Sequence, residues 1–218
     1  LSVQTRRLLD EGGFPKAVIV ASNDLDEHVI ASLKDQGAAI GLWGVGTRLV
    51  TCDGQPALDG VYKLSAVRGE DGRWQPRVKL SEQPGKVSTP GVLQVRRFHD
   101  NNESVGDMIF DETAPPTGAR VTMVDPMDAT RRKAFPTGMD HQDLLIPVFR
   151  KGRQVYEPPS IHDLRSRART QLKQFHAGIK RFTNPHSYPV GLEQGLFDLK
   201  TRLILEARAS SGPTGSWA

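Results

Sequence analysis

Two short apolar runs, "KAVIVAS" (Lys16–Ser22) and "AAIGLW" (Ala38–Trp43), stand one helical pattern apart near the start of the chain. Each is too short for a helix and lacks the polar–apolar alternation of a half-exposed strand, so each reads as a strand buried on both faces. Between them "NDLDEHVIASLKDQG" predicts a helix. Asn23 or Asp24 caps it, acids fill its first turn, Leu25, Val29, Ile30 and Leu33 face inward, and Gly37 ends it. An earlier helix, marked by Val3, Leu8 and Leu9, stops at Gly12 and Gly13. The order α-β-α-β with short loops predicts parallel strands joined by right-handed crossovers. The spacing fits the repeat of an α/β barrel, with too few repeats to close one.

After Val61 the pattern becomes β-rich. "VYKLSAVRGEDGRWQPRVKLSE" (Val61–Glu82) predicts a hairpin turning at residues 70–72, and "LQVRRFHD" a strand with Leu93, Val95 and Arg97 opposite Gln94, Arg96 and Phe98. Residues 111–138, rich in Pro, Thr, Asp and Gly, predict a long loop around one short strand, "RVTMVD". "DLLIPVFRKGRQV" (Asp143–Val155) adds a strand and a turn. "SIHDLRSRARTQLKQFHAGIKRF" predicts the clearest helix. Ser160 and Asp163 form its capping box, and Ile161, Leu164, Ala168, Leu172, Phe175, Ile179 and Phe182 form its inward stripe. A second helix is expected over Leu192–Ala207, then a disordered tail over 209–218.

Composition removes several classes of function. One cysteine, Cys52, excludes an internal disulfide framework and any multi-cysteine metal site; it suits a reducing, cytoplasmic setting, with Cys52 itself packed. No apolar run approaches the roughly 20 residues a membrane span requires. The six histidines form no HxxxH or HExxH pair, and neither GxSxG nor GxxxxGK[ST] occurs. Basic residues cluster from Arg150 to Arg181, where they fit a solvated helix face or a nucleic-acid-binding face. The polar side of that helix carries few aromatics, which favours the solvated face.

Strand ends hold ligands in α/β barrels. The first strand runs out in Ser22, Asn23 and Asp24, the second in Gly44, Val45, Gly46 and Thr47. Glycines let successive N–H groups face one anion, and Thr47 adds a hydroxyl, so the second strand end suits a phosphate. The same glycines would also serve a plain turn, and any one of Ser22, Asn23 and Asp24 could cap the next helix. Asp24 or Asp26 could take a sugar hydroxyl, or Mg²⁺ through water.

The stretches "IVASNDLDEHVIASLKDQGAAIGLWGVGTRLVTCDGQPALDGVYKLS", "KLSEQPGKVSTPGVLQVRRF" and "NPHSYPVGLEQGLFDLKTRLI" together resemble nicotinate phosphoribosyltransferase, a type II phosphoribosyltransferase, up to about Arg208. The resemblance implies that nicotinate attacks phosphoribosyl pyrophosphate to give nicotinate mononucleotide and pyrophosphate in NAD synthesis. ATP hydrolysis would be coupled through a phosphorylated histidine, with Mg²⁺ as a further cofactor. It implies that residues matching Gly44–Thr47 hold the ribose 5-phosphate and those matching Ser22–Asp24 lie beside the ribose. It also implies a homodimer of the full-length enzyme, while the short apolar runs and the solvated reading of the basic helix leave no membrane or nucleic-acid partner expected.

The family's Arg-x-Asp-Ser-Gly-Asp segment and its phosphorylated histidine have no match here, and its Lys near Leu93 is missing. The expectation is therefore a carboxy-terminal part of such an enzyme, inactive alone, with a nucleic-acid-binding module using the basic helix over 160–182, or a barrel binding another sugar phosphate, as the alternatives. The expected fold class is α/β: part of an irregular α/β barrel over 1–65, a β-rich segment over 66–158 and C-terminal helices over 159–208. Those helices would pack on an amino-terminal domain.

Overall fold

The computed structural model describes residues 1–57 and 61–210, and contacts divide the chain into two units between Val61 and Tyr62. The expected tail from residue 211 onward lies outside the described residues. No described helix is long and apolar enough to cross a membrane.

In the first unit, α1 (Ser2–Glu11), β1 (Val20–Ser22), α2 (Glu27–Asp35), β2 (Leu42–Gly44) and a single turn, α3 (Thr47–Val50), follow in the predicted order. β1 and β2 pair in parallel, with Val20 opposite Leu42 and Ser22 opposite Gly44. Arg6 fastens α1 to the loop before β1, bonding Asp10 at 2.8 Å, the Phe14 carbonyl at 2.8 Å and the Ala17 carbonyl.

Three expectations for this unit change. The cap of α2 is Asp26, whose carboxylate accepts the Val29 N–H at 2.8 Å. Asn23 and Asp24 have left-handed backbones (φ 90° and 45°), whereas a cap residue needs an extended one. The strands are not buried on both faces: Val18, Val20 and Leu42 are 62%, 58% and 53% exposed, and Leu25 is the unit's one buried hydrophobic among the described residues. Cys52 is exposed rather than packed, because the chain turns left-handed there (φ 50°) on leaving α3.

The second unit opens with a small hairpin, β3 (Ala66–Arg68) and β4 (Trp74–Pro76), inside the span predicted for one. The strand predicted at 93–100 is β5 (Leu93–Asp100). It turns at Asn101 and Asn102, both left-handed (φ 47° and 66°), into β6 (Glu103–Asp111). Such a two-residue turn matches the twist of the strands it joins. β7 (Arg120–Val124) and β8 (Arg132–Pro136) form a further hairpin inside the segment expected to be mostly loop.

β9 (His141–Asp143) and a two-residue hairpin, β10 (Phe149–Arg150) with β11 (Arg153–Gln154), come next. α4 (Ile161–Lys173), β12 (Val190–Glu193) and α5 (Gln194–Ser210) complete the unit. Six strands make one sheet in the order β8-β7-β12-β6-β5-β9. The architecture is thus mixed α/β: a parallel βαβ unit, then a six-stranded mixed sheet with helices at its C-terminal end.

The core lies on this sheet. Phe98, Met108, Phe110, Val121, Met123 and Phe135 form one buried cluster, with the rings of Phe98 and Phe135 stacked 4.0 Å apart. β12 occupies the start of the expected C-terminal helix. It runs parallel to β6 and antiparallel to β7, and Leu192 is buried between Ile109 and Val124. A Cβ at Gly191 would come within 2.5 Å of the Val124 carbonyl, so only glycine permits that approach.

The capping box of α4 forms as predicted, with Ser160 Oγ accepting the Asp163 N–H at 3.2 Å. The helix stops at Lys173, however, and its expected inward stripe meets no core: Ile161, Leu164 and Leu172 are 72%, 42% and 57% exposed. Phe175 lies past the helix end, where its ring packs against Tyr188 and under the Arg97 guanidinium.

Candidate functional site

The two strand ends of the first unit open on one cavity of about 180 Å³. Ser22, Asn23 and Asp24 line it from β1, and Gly44, Gly46 and Thr47 from β2 and the first residue of α3. Six of the seven residues singled out in the sequence therefore share one space. Val45 is half-buried and is not part of the lining. Leu25 and Arg48 complete the wall. Sequence reasoning passed over Arg48, although a cation directly after the glycine turn was a signal for it.

The two glycines do different things. Ser22 Oγ donates to the Gly44 carbonyl at 3.4 Å, and a Cβ on Gly44 would sit 3.1 Å from that oxygen and 3.3 Å from the Ser22 Cβ. Gly44 thus lets the paired strand ends close up. A Cβ on Gly46 would meet nothing within 4 Å, so open space lies over that position. The Gly46 carbonyl accepts the N–H groups of Leu49 and Val50 at 3.1 and 3.0 Å, which winds α3. Among the described residues, no hydrogen bond outside the ladders and helices takes up the N–H of Gly46, Thr47 or Arg48. These are the donors that a helix start leaves without an internal partner.

Charge at the cavity is arranged around Arg48. Its Nε lies 3.7 Å from Asp26 Oδ2, and its Nη1 pairs with Asp53. The Val29 N–H holds the Asp26 carboxyl below the usual carboxylate range, and the charge of Arg48 adds to this. Because Asp26 does the capping, Ser22, Asn23 and Asp24 are released from it. The left-handed backbones of Asn23 and Asp24 are of the kind that clusters where ligands bind, since surrounding structure must hold them.

Among the described residues, no group of three or more His, Cys, Asp or Glu side chains could hold a metal ion by itself. Asp24, exposed on the cavity wall, fits a different arrangement: one carboxylate beside a Mg²⁺ carried mainly by water and substrate phosphate oxygens.

Comparison with known proteins gives concordant results. The family model for the nicotinate phosphoribosyltransferase C-terminal domain matches residues 94–200. Nicotinate phosphoribosyltransferase of Bacillus subtilis (strain 168) is 40% identical over 213 residues, covering 96% of this chain and 43% of the relative. The Dictyostelium discoideum enzyme of the same name is 32% identical over 224 residues, covering 95% and 37%. The crystal structure of human nicotinic acid phosphoribosyltransferase superposes with a TM-score of 0.63 at 24% identity, covering 92% of this chain and 36% of that one. That likeness speaks for the fold. The chain spans about two fifths of the length of these curated relatives.

Proposed function

The chain belongs to the nicotinate phosphoribosyltransferase family, and from that premise we propose that it supplies the sugar-phosphate part of a site forming nicotinate mononucleotide. Nicotinate and phosphoribosyl pyrophosphate are the substrates, and pyrophosphate leaves. The observation that carries this reading is the single cavity at the ends of two parallel strands, lined from both by the residues around Ser22–Asp24 and Gly44–Thr47.

In it, the free N–H groups after Gly44 and the hydroxyl of Thr47 bind the 5-phosphate, while Ser22, Asn23 and Asp24 face the ribose hydroxyls. Arg48 adds positive charge nearby. Loss of pyrophosphate from an oxocarbenium-like sugar needs positioning and charge stabilisation more than a covalent nucleophile. A polar cavity with a cation and fixed backbone dipoles can provide both.

The same premise carries the finer parts of the reading. Asp24 would help hold a Mg²⁺ carried mainly by water and substrate phosphate oxygens, and the ion would neutralise charge on the leaving pyrophosphate. ATP hydrolysis is coupled to the reaction through residues outside those described, and we assign none of the described side chains to it. The whole enzyme works as a cytoplasmic homodimer without nucleic-acid partners, and residues 1–218 alone give no turnover.

The decisive experiment is Gly46→Val in the intact enzyme. The new side chain would fill the open space over that position and block one charge-assisted contact worth about 1.5 kcal/mol or more, so KM for phosphoribosyl pyrophosphate should rise roughly tenfold or beyond. KM for nicotinate should move far less. Unchanged kinetics would place the phosphate elsewhere.

A further inference from the structure

A cavity of the second unit is lined by none of the residues assigned to that reaction. It measures about 410 Å³, within the range of small-molecule sites, and lies between the start of β8 and the segment leading into β12. Three consecutive cations, Arg131, Arg132 and Lys133, line one side. Tyr188, Pro189 and Val190 line the other, with Met123 between. Asp125 is the single carboxylate in the lining.

The cations are poorly neutralised by the protein. Lys133 Nζ donates to the Val105 carbonyl at 2.6 Å and has two further protons to give. Arg132 bonds two neutral oxygens, the Ala129 carbonyl at 3.0 Å and Gln194 Oε1 at 3.1 Å. Arg131, 65% exposed in its side chain, comes no closer to Asp125 than 3.7 Å. Three positive charges against one negative leave an excess of two, which matches the ~−1.5 to −2 of a phosphomonoester at neutral pH.

The opposite wall is already fixed. Asp107 accepts the Tyr188 hydroxyl at 2.7 Å and two bonds from Arg97 at 2.9 and 2.7 Å. The Asp107 N–H bonds the Pro189 carbonyl at 3.0 Å, and Val190 is in register with Asp107 across the β12–β6 pair. A ligand entering here would order little of the protein, so little of its binding energy is lost to that step.

We propose that this cavity binds a small organic phosphate, its phosphoryl group held by Arg131 and Lys133, which stand two residues apart, with Arg132 adding positive charge at the start of β8, and its apolar body laid against Met123, Pro189 and Val190. An inorganic ion would leave most of the volume unused, which is why the body belongs to the ligand. The site shares no lining residue with the cavity in the first unit, and its occupancy does not depend on the reading of that cavity.

Calorimetric titration of the intact protein with phenyl phosphate and with inorganic phosphate tests this. Phenyl phosphate should saturate one site per chain beyond any shared with the first cavity, and bind it several-fold more tightly than inorganic phosphate. Arg131→Gln and Lys133→Gln should each weaken that site about tenfold, the worth of one charge-assisted bond of ~1.4 kcal/mol. Gly46→Val should leave it unchanged.

Arg131 is exposed and its replacement spares the fold, so a null result with it cannot be blamed on unfolding. Absence of saturation up to about 10 mM, a range that still detects millimolar affinity, would overturn the proposal. So would affinity unaltered by Arg131→Gln, equal affinity for inorganic phosphate, or loss of the site on Gly46→Val.

Discussion

The two units of this chain divide the labour of a folded protein unequally. The first gathers seven polar or glycine residues around one cavity while burying one hydrophobic side chain among its described residues, Leu25. The second buries a contiguous cluster of large side chains on a six-stranded sheet. A βαβ unit brings its strand ends together by hydrogen bonding and crossover geometry, whatever covers its outer faces. Stability, by contrast, comes from area removed from water. Where a site forms and where a fold is stabilised are therefore separable here.

The sharpest way to break that contrast is to remove one core side chain from each unit. Phe135 is 1% exposed, stacked on Phe98 and packed among the cluster, so Phe135→Ala should cost about 3–5 kcal/mol. Leu25 has few buried neighbours to leave a cavity among, and Leu25→Ala should fall at the low end of the large-to-small range, about 2 kcal/mol. Urea unfolding of each variant measures both. Equal losses would mean that the first unit has a core of its own.

The next largest effect belongs to the buried polar group of the second unit. Asp107 is 8% exposed and serves Arg97 and Tyr188 together, so Asp107→Ala strands a guanidinium and should cost about 3 kcal/mol. Tyr188→Phe removes one hydrogen bond and should cost about 1 kcal/mol. Burial, and then the bond to Asp107, raises the Tyr188 pKa. Its stabilising contribution is thus complete below the unfolded value near 10 and declines as pH rises beyond it. Wild-type stability should fall on that alkaline side more steeply than that of Tyr188→Phe. Parallel alkaline limbs would show that the hydroxyl is not held in its protonated form by the fold.

Local signals carried well into the structure where they were self-contained. β5 begins and ends where its alternation does, Ser160 and Asp163 make their box, and the glycine turn lies at a strand end beside Ser22–Asp24. What failed to carry over depends on partners distant in sequence. Val18, Val20 and Leu42 have the composition of doubly covered strands, yet more than half of each stays exposed among the described residues. The stripe of α4 has helical spacing but buries no residue of the helix among the described residues, since periodicity specifies a face and not what meets it.

The expected helix over Leu192–Ala207 takes in the last two residues of β12, Leu192 and Glu193, while the preference of Gly191 for a close strand contact shows only once Val124 is in place. β6 was legible and missed: an Asn-Asn pair directly after a strand is itself a hairpin signal. Arg48 was legible in the same way, as a cation directly after the glycine turn, while its partner Asp26, 3.7 Å away, is brought to it only by α2.

The smallest effect separates the two units by the origin of their acidic shifts. Asp26 in the first unit and Asp143 in the second both titrate below the usual carboxylate range. The chief cause is a backbone N–H, that of Val29, for Asp26; for Asp143 it is the forked pair with Arg96, at 2.7 and 2.9 Å. Both groups stabilise the fold above the unfolded value near 4, and both contributions fade as pH falls through the lowered folded values.

Salt should tell them apart, because 1 M NaCl shortens the screening length to about 3 Å and weakens a surface ion pair more than a cap bond to an N–H. Carboxyl carbon chemical shifts followed through an acid titration should show the Asp143 midpoint moving up in salt, with Asp26 moving less. Arg96→Gln should return Asp143 toward its ordinary value and leave Asp26 where it was. A salt response as large at Asp26 as at Asp143 would mean that Arg48, rather than the cap of α2, governs the carboxylate beside the cavity.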